Sequence, residues 1–161
     1  MGKLFFAAIF AVVLPVATLA QGASVAFDGL RQDTSLPVQV DADGLTVNQA
    51  DGTAVFSGNV TVAQGTMRLS AAEVLVEYAE GGGIERLHAS GGVTLASNED
   101  AAEAREAVYT IDSGEVVMTG DVLLSQGTSV LSGQKLVINL TSGTGSMQGR
   151  VQTVFQPGSA P

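Results

Sequence analysis

The sequence predicts an all-β fold built from repeats of about 30 residues, whose strands bend into the curved walls of a trough or flattened barrel. Three observations predict it. The first is an internal repeat. Residues 54–78 (AVFSGNVTVAQGTMRLSAAEVLVEY) align without a gap on residues 116–140 (VVMTGDVLLSQGTSVLSGQKLVINL), with eight identities in 25 positions. The second is alternation of apolar and polar residues within each copy, the period of a strand with one buried face. The third is composition: 20 Gly, no Trp and few aromatics, which suits many short strands and turns around a core of Val, Leu and Ile. A stack of repeated units makes a surface or a trough rather than a single catalytic point.

The elements follow in chain order. Met1, Gly2 and Lys3 precede an unbroken apolar run over residues 4–14, then Pro15. Thr18 and Ala20 place small residues before Gln21, the pattern of a signal peptide cut after Ala20. The run is shorter than the ~20 residues of a membrane-spanning helix. Residues 1–20 are therefore expected to be removed on export. Polar residues 21–35 read as a flexible leader, residues 36–156 as the folded domain and residues 157–161 as a flexible tail.

Residues 38–48 (VQVDADGLTVN) resemble the second half of a unit, residues 70–77 (SAAEVLVE), and form the expected first strand. The step S-G-x-V-T at residues 57–61 recurs at 90–94, and M-T-G-D-V at 118–122 recurs as M-Q-G-R-V at 147–151. The shared glycines are Gly58, Gly91, Gly120 and Gly149, spaced 33, 29 and 29 residues apart. Glycine in mid-strand marks a bend or a close backbone approach, so each copy is expected to bend there. Residues 70–80 have helical propensity. Their partners at 132–142 include Gly133, Val137, Ile138 and Thr141, so both are read as strand. Residues 101–109 (AAEAREAVY) are expected to start as a loop or helical turn and become strand near Glu106.

Alternation assigns the faces. Phe56, Val60 and Val62 share one side of the first copy, with Ser57, Asn59 and Thr61 on the other. Met118, Val122 and Leu124 are their counterparts in the later copy. The returning strands add Leu69, Val74, Val76 and Tyr78, then Leu131, Leu136, Ile138 and Leu140. The middle copy gives Val93 and Leu95, then Tyr109 and Ile111. The result is a nearly continuous apolar wall, either an ordinary sandwich core or a lipid groove.

Charge excludes one class of function. Seven Lys+Arg stand against 16 Asp+Glu, and loss of Lys3 with the signal peptide moves the net charge from −9 to −10. Binding to nucleic-acid phosphates rests on clustered cations, so no nucleic acid is expected as a partner. Candidates for chemistry are weak. His88, the only histidine, lies beside Glu85 and Arg86 on the polar face, with no second His or Cys to complete a metal site. Asn98, Glu99, Asp100, Glu103 and Glu106 read as a solvated acidic loop whose spacing fits no calcium loop. Asp41 and Asp43 share the polar face of a strand, where edge charge keeps a strand soluble. Gly81, Gly82 and Gly83 precede no helix and read as a turn, not a phosphate loop. No nucleophile–base set is present, so no enzyme, metal or cofactor is expected.

Several runs together carry a family resemblance: residues 38–43 (VQVDAD), 54–60 (AVFSGNV), 64–69 (QGTMRL) and 118–122 (MTGDV). In that order and spacing the chain resembles the OstA-like family, and within it the periplasmic bridge proteins of lipopolysaccharide transport, over about residues 38–155. The resemblance implies a β-jellyroll of curved antiparallel sheets open at both ends, placed in the periplasm, with an interior that holds lipid A acyl chains. The inward residues above then become candidate lipid contacts. It implies partners as well: lipopolysaccharide, inner-membrane-anchored and outer-membrane proteins of similar jellyroll fold, and further copies joined head to tail. Val38, Val40, Leu45 and Val47 on the first strand, with Val151 and Phe155 on the last, are the expected assembly edges. The alternative is a structural β-solenoid of the periplasm or cell surface without lipid cargo, although unequal repeat spacing sits poorly with regular coils.

Overall fold

Every strand in the computed structural model, which describes residues 23–26, 28–98 and 100–155, runs antiparallel to its neighbours. The expected signal peptide and tail lie outside the described residues. The strands are β1 (Ala23–Ala26), β2 (Gln39–Asp41), β3 (Gly44–Asn48), β4 (Thr53–Gln64), β5 (Met67–Tyr78), β6 (Ile84–Ser97), β7 (Asp100–Thr110), β8 (Glu115–Gln126), β9 (Ser129–Asn139), β10 (Thr144–Gln148) and β11 (Gln152–Val154). A 3-10 turn, Asp28–Leu30, follows β1. The sheet order is β1-β10-β9-β8-β7-β6-β5-β4-β2, with β3 also on β4 and β11 also on β9.

Each long strand shares in one set of register breaks that line up across the sheet, and the β5–β6 pair has a second near its turn, between Glu77 and Tyr78. Ser57 pairs with Glu73, but the next paired residue, Val60, meets Ala71. The excursion in β4 is Gly58–Asn59, with φ of 79° and 46°. Gly91–Gly92, Gly120–Asp121 and Gly149–Arg150 repeat it, all with positive φ. The repeat glycines are thus the expected bends. Geometry explains why glycine is required: a Cβ on Gly91 would stand 2.6 Å from the Ala72 Cβ, in a backbone region that side chains disfavour.

The aligned breaks form a crease that divides the sheet into two walls. The first holds β1, β10, β3 and the segments 53–57, 73–78, 84–90, 106–110, 115–119 and 135–139. The second holds β2, β11 and the segments 60–64, 67–71, 93–97, 100–104, 122–126 and 129–133. One hydrophobic cluster draws on both walls. The Tyr109 hydroxyl, on the first wall, donates to Gln64 Oε1 on the second at 2.8 Å, so the walls lie face to face.

Three expectations need correction. Residues 21–35 are not simply a flexible leader. β1 pairs with β10, from Ala23 against Met147 to Ala26 against Thr144, and Leu30 is fully buried. The Gln32 N–H donates to Leu140 O, and its Nε2 donates to Thr66 Oγ1 and Ser97 Oγ. The segment is polar and aperiodic. Its order comes from partners distant in sequence, which composition does not reveal. Secondly, residues 101–105 are strand: β7 begins at Asp100 and pairs on both sides. Helix propensity yields here to two ladders of tertiary hydrogen bonds and to the burial of Ala102 between Leu95 and Leu124. Thirdly, the expected first and last strands are each split at the crease. Ala42 and Asp43 separate β2 from β3, and Gly149–Arg150 separate β10 from β11. Asp41 and Asp43 therefore do not share a continuous strand face.

Candidate functional site

The interior between the walls is the one place where the repeated residues converge. In β4, Val60 and Val62 face inward with Gln64. In β5 the inward set is Met67, Leu69 and Ala71, then Val74 and Val76. Parity changes at the crease because β5 takes three steps from Ala71 to Val74 where β4 takes four from Phe56 to Val60. The same three-step shift recurs from Ala104 to Ala107 in β7 and from Gly133 to Leu136 in β9. Both halves of every strand thereby turn their apolar side to the same interior.

The expected inward residues lie on this face, except that Tyr78, beyond the second register shift of β5, is 40% exposed. Val60, Val62, Leu69, Val74, Val76, Val93, Leu95, Tyr109, Met118, Val122, Leu124, Leu131, Leu136 and Ile138 are buried. Phe56 and Ile111 are partly buried and pack against the same cluster. Leu140 is buried as expected, and the structure adds Leu30, Met67, Leu87, Ala89, Ala102, Ala107, Val116 and Met147. Leu87 and Ala89 were legible as the alternation before Gly91. Leu30 carried no signal, because no periodicity surrounds it.

A polar cluster lies at the margin of the apolar interior, on the side away from the crease, with Gln64 and Ser97 buried and Thr66 exposed. Gln64 accepts from Tyr109 and donates from Nε2 to Thr34 O and Leu36 O at 3.1 and 2.8 Å. Thr66 and Ser97 share a hydroxyl contact and both accept from Gln32. Burial pushes the Tyr109 hydroxyl above the usual phenol range, partly opposed by its Gln64 bond, so it stays a donor. These groups form a seam where residues 28–38 cross between the walls.

The ends of the interior are terminal strands. Leu45 pairs with Phe56 and Val47 with Ala54, which turns both toward the interior face, yet they are 56% and 58% exposed. Val38 and Val40 on β2 are partly buried against the cluster. At the other end Thr153 pairs with inward Leu131, so Val151 and Phe155 share its face, and Phe155 is 72% exposed. Among the described residues, β2, β3 and β11 are each paired on one side only. The edge is not simple, however: β1 covers β10, so Met147 is buried in the sheet and only β11 remains of the expected last edge.

The candidates for chemistry stay apart. His88 Nε2 lies 3.7 Å from Glu106 Oε2, too far for a hydrogen bond, on the outer face. Asp43 accepts from Asn59 and Asp41 from Gln39, both exposed. Among the described residues no group of three His, Asp or Glu is placed to hold a metal ion, and no helix is long and apolar enough to cross a membrane.

Comparison with known proteins follows the same geometry. Residues 39–144 match the family described as LptA/(LptD N-terminal domain) LPS transport protein. The chain is 32% identical over 165 residues to an uncharacterised protein of Rhizobium meliloti, covering 95% of this chain and 89% of that one. It is 27% identical over 159 residues to the lipopolysaccharide export system protein LptH of Pseudomonas aeruginosa, covering 87% and 90%. With the corresponding protein LptA of Escherichia coli K12 it shares 28% over 130 residues, covering 76% and 70%. The crystal structure of LptH, the LptA-homologous periplasmic component of the lipopolysaccharide transport device of Pseudomonas aeruginosa, superposes with a TM-score of 0.69 at 22% identity, covering 78% of this chain and 99% of that one. That similarity shows the fold, a β-jellyroll.

Proposed function

The chain belongs to the LptA/(LptD N-terminal domain) family of LPS transport proteins, and we propose that it carries lipopolysaccharide through the periplasm toward the outer membrane. The acyl chains of lipid A lie between the walls, against residues such as Val62, Val76, Leu124 and Ile138. One observation carries this reading: the inward apolar face is continuous from β2 and β3 to β11, and exposed apolar residues carry it to both ends. Removing acyl chains from water is worth about 0.8 kcal/mol per CH₂, so such an interior holds a lipid without a specific polar contact. The edges of β2, β3 and β11 join to sheet edges of neighbouring jellyrolls: other copies, an inner-membrane-anchored partner and an outer-membrane partner. A signal peptide cut after Ala20 delivers the chain to the periplasm, and its work there is transport rather than catalysis.

Mass spectrometry of lipid that co-purifies with the protein tests the cargo. A photo-crosslinker at Ile138 is expected to capture lipopolysaccharide, whereas one at Asn139, directed to the opposite face, captures little. Equal capture at both positions overturns the assignment of the interior as the binding surface. The antiparallel sheet excludes the β-solenoid form of the alternative, and the dense packing of side chains between the walls favours what remains of it, a structural filament without cargo. Absence of any bound lipid after purification from outer-membrane-bearing cells decides for that reading.

A further inference from the structure

The two walls are held together differently on their two sides, and we propose that the seam beneath residues 28–38 is the port through which acyl chains enter the interior. The proposal rests on the carrier reading above. At the crease, each long strand continues from one wall into the other, so the walls cannot part there without tearing the sheet. The left-handed residue pairs of the crease form a hinge line instead. On the opposite side the walls meet through the Tyr109–Gln64 hydrogen bond and through the crossing segment.

The interior is closed by its own side chains. Val76, Leu124, Leu136 and Ile138 are 0% exposed, so no space that admits water touches them. An acyl chain beside these residues needs the walls to separate. The seam is where they separate most readily. Its segment has one buried apolar anchor, Leu30. Val38 is only partly buried, Leu36 is exposed, and the other contacts are polar: Asn98 Nδ2 donates to Gly29 O, Gln32 bonds Leu140, Thr66 and Ser97, and Gln64 bonds the carbonyls of Thr34 and Leu36. Hydrogen bonds of this kind exchange for water at small net cost, unlike the packed walls. A segment with few apolar contacts opens before the sheet does. Opening also presents Gln64, Thr66, Ser97 and Tyr109 along the rim. These donors and acceptors suit the sugar hydroxyls of a glycolipid whose acyl chains lie deeper, toward the crease.

The segment can be stapled. A Cβ placed on Gly29 lies 3.5 Å from the Asp100 Cβ, the span of a disulfide, and the chain contains no cysteine. Gly29→Cys with Asp100→Cys ties the segment to the second wall, while β1 immediately upstream remains on the first. The mature protein is mixed with fluorophore-labelled lipopolysaccharide micelles and uptake is followed by stopped flow. The oxidised double variant is expected to load more slowly by roughly tenfold or more, and reduction restores the rate of the unsubstituted protein. Leu30→Ala, which removes the apolar anchor, is expected to load several-fold faster with unchanged circular dichroism. Equal uptake by the oxidised and reduced forms, or no acceleration in folded Leu30→Ala, overturns the port and leaves the carrier reading intact. No uptake by the unsubstituted protein overturns the carrier reading, and the port with it.

Discussion

A few residues decide the shape because their backbones do what most residues cannot. At the crease, Gly58, Gly91, Gly120 and Gly149 take positive φ, and three of the four residues that follow them (Asn59, Asp121 and Arg150) do so with a side chain attached. Gly91→Ala adds a Cβ 2.6 Å from the Ala72 Cβ at a φ of 83°. It is expected to cost about 1–3 kcal/mol, read as a lower urea midpoint with an unchanged slope. The glycines were visible in the sequence as the best-kept points of the repeat. The left-handed partner after each was not, because Asn, Gly, Asp and Arg share no single chemistry. His88 is the contrasting case. It is half-exposed and makes no hydrogen bond through Nε2. His88→Ala is expected to shift stability by about 0.5 kcal/mol or less and to leave lipid loading unchanged. A folded His88→Ala protein that no longer loads lipid would restore a chemical role for the histidine.

At the scale of elements, the long strands obeyed their alternation and the short ones obeyed their neighbours. β4, β5, β8 and β9 are the two aligned copies, and their pairing follows directly from the repeat. β7 shows the limit of propensity: alanine and glutamate favour helix in isolation, yet ladders on both sides hold residues 100–110 extended. β11 is short, exposed and paired on one side only, the condition in which a strand accepts another chain. Gln152→Pro removes a backbone donor near its start and stiffens it against further pairing. The variant is expected to keep the monomer's circular dichroism and to elute as smaller species in size-exclusion chromatography. If it assembles and captures its membrane partners at the unsubstituted strength, joining through β11 is wrong.

For the whole molecule, the separation between local and distant information is clear. Periodicity, repeat spacing and glycine position are local, and they determined the all-β class, the bends and the inward identity of residues from Phe56 to Ile138. They could do so because a strand's side chains alternate whatever the strand later pairs with. Three features needed the tertiary structure. The change of parity within β5, β7 and β9 arises only when a three-step bend lies against a four-step one. The splitting of the terminal strands leaves β11 as an edge while β1 covers β10. The seam depends on Gln32 reaching Leu140, Thr66 and Ser97, and on Gln64 reaching Tyr109, partners 34 to 108 residues away once the fold closes. Sequence determined which faces are apolar, because that is written into each strand. Tertiary structure alone decided how the two walls are closed against each other, because hydrogen bonds between distant polar residues leave no periodic trace in the chain.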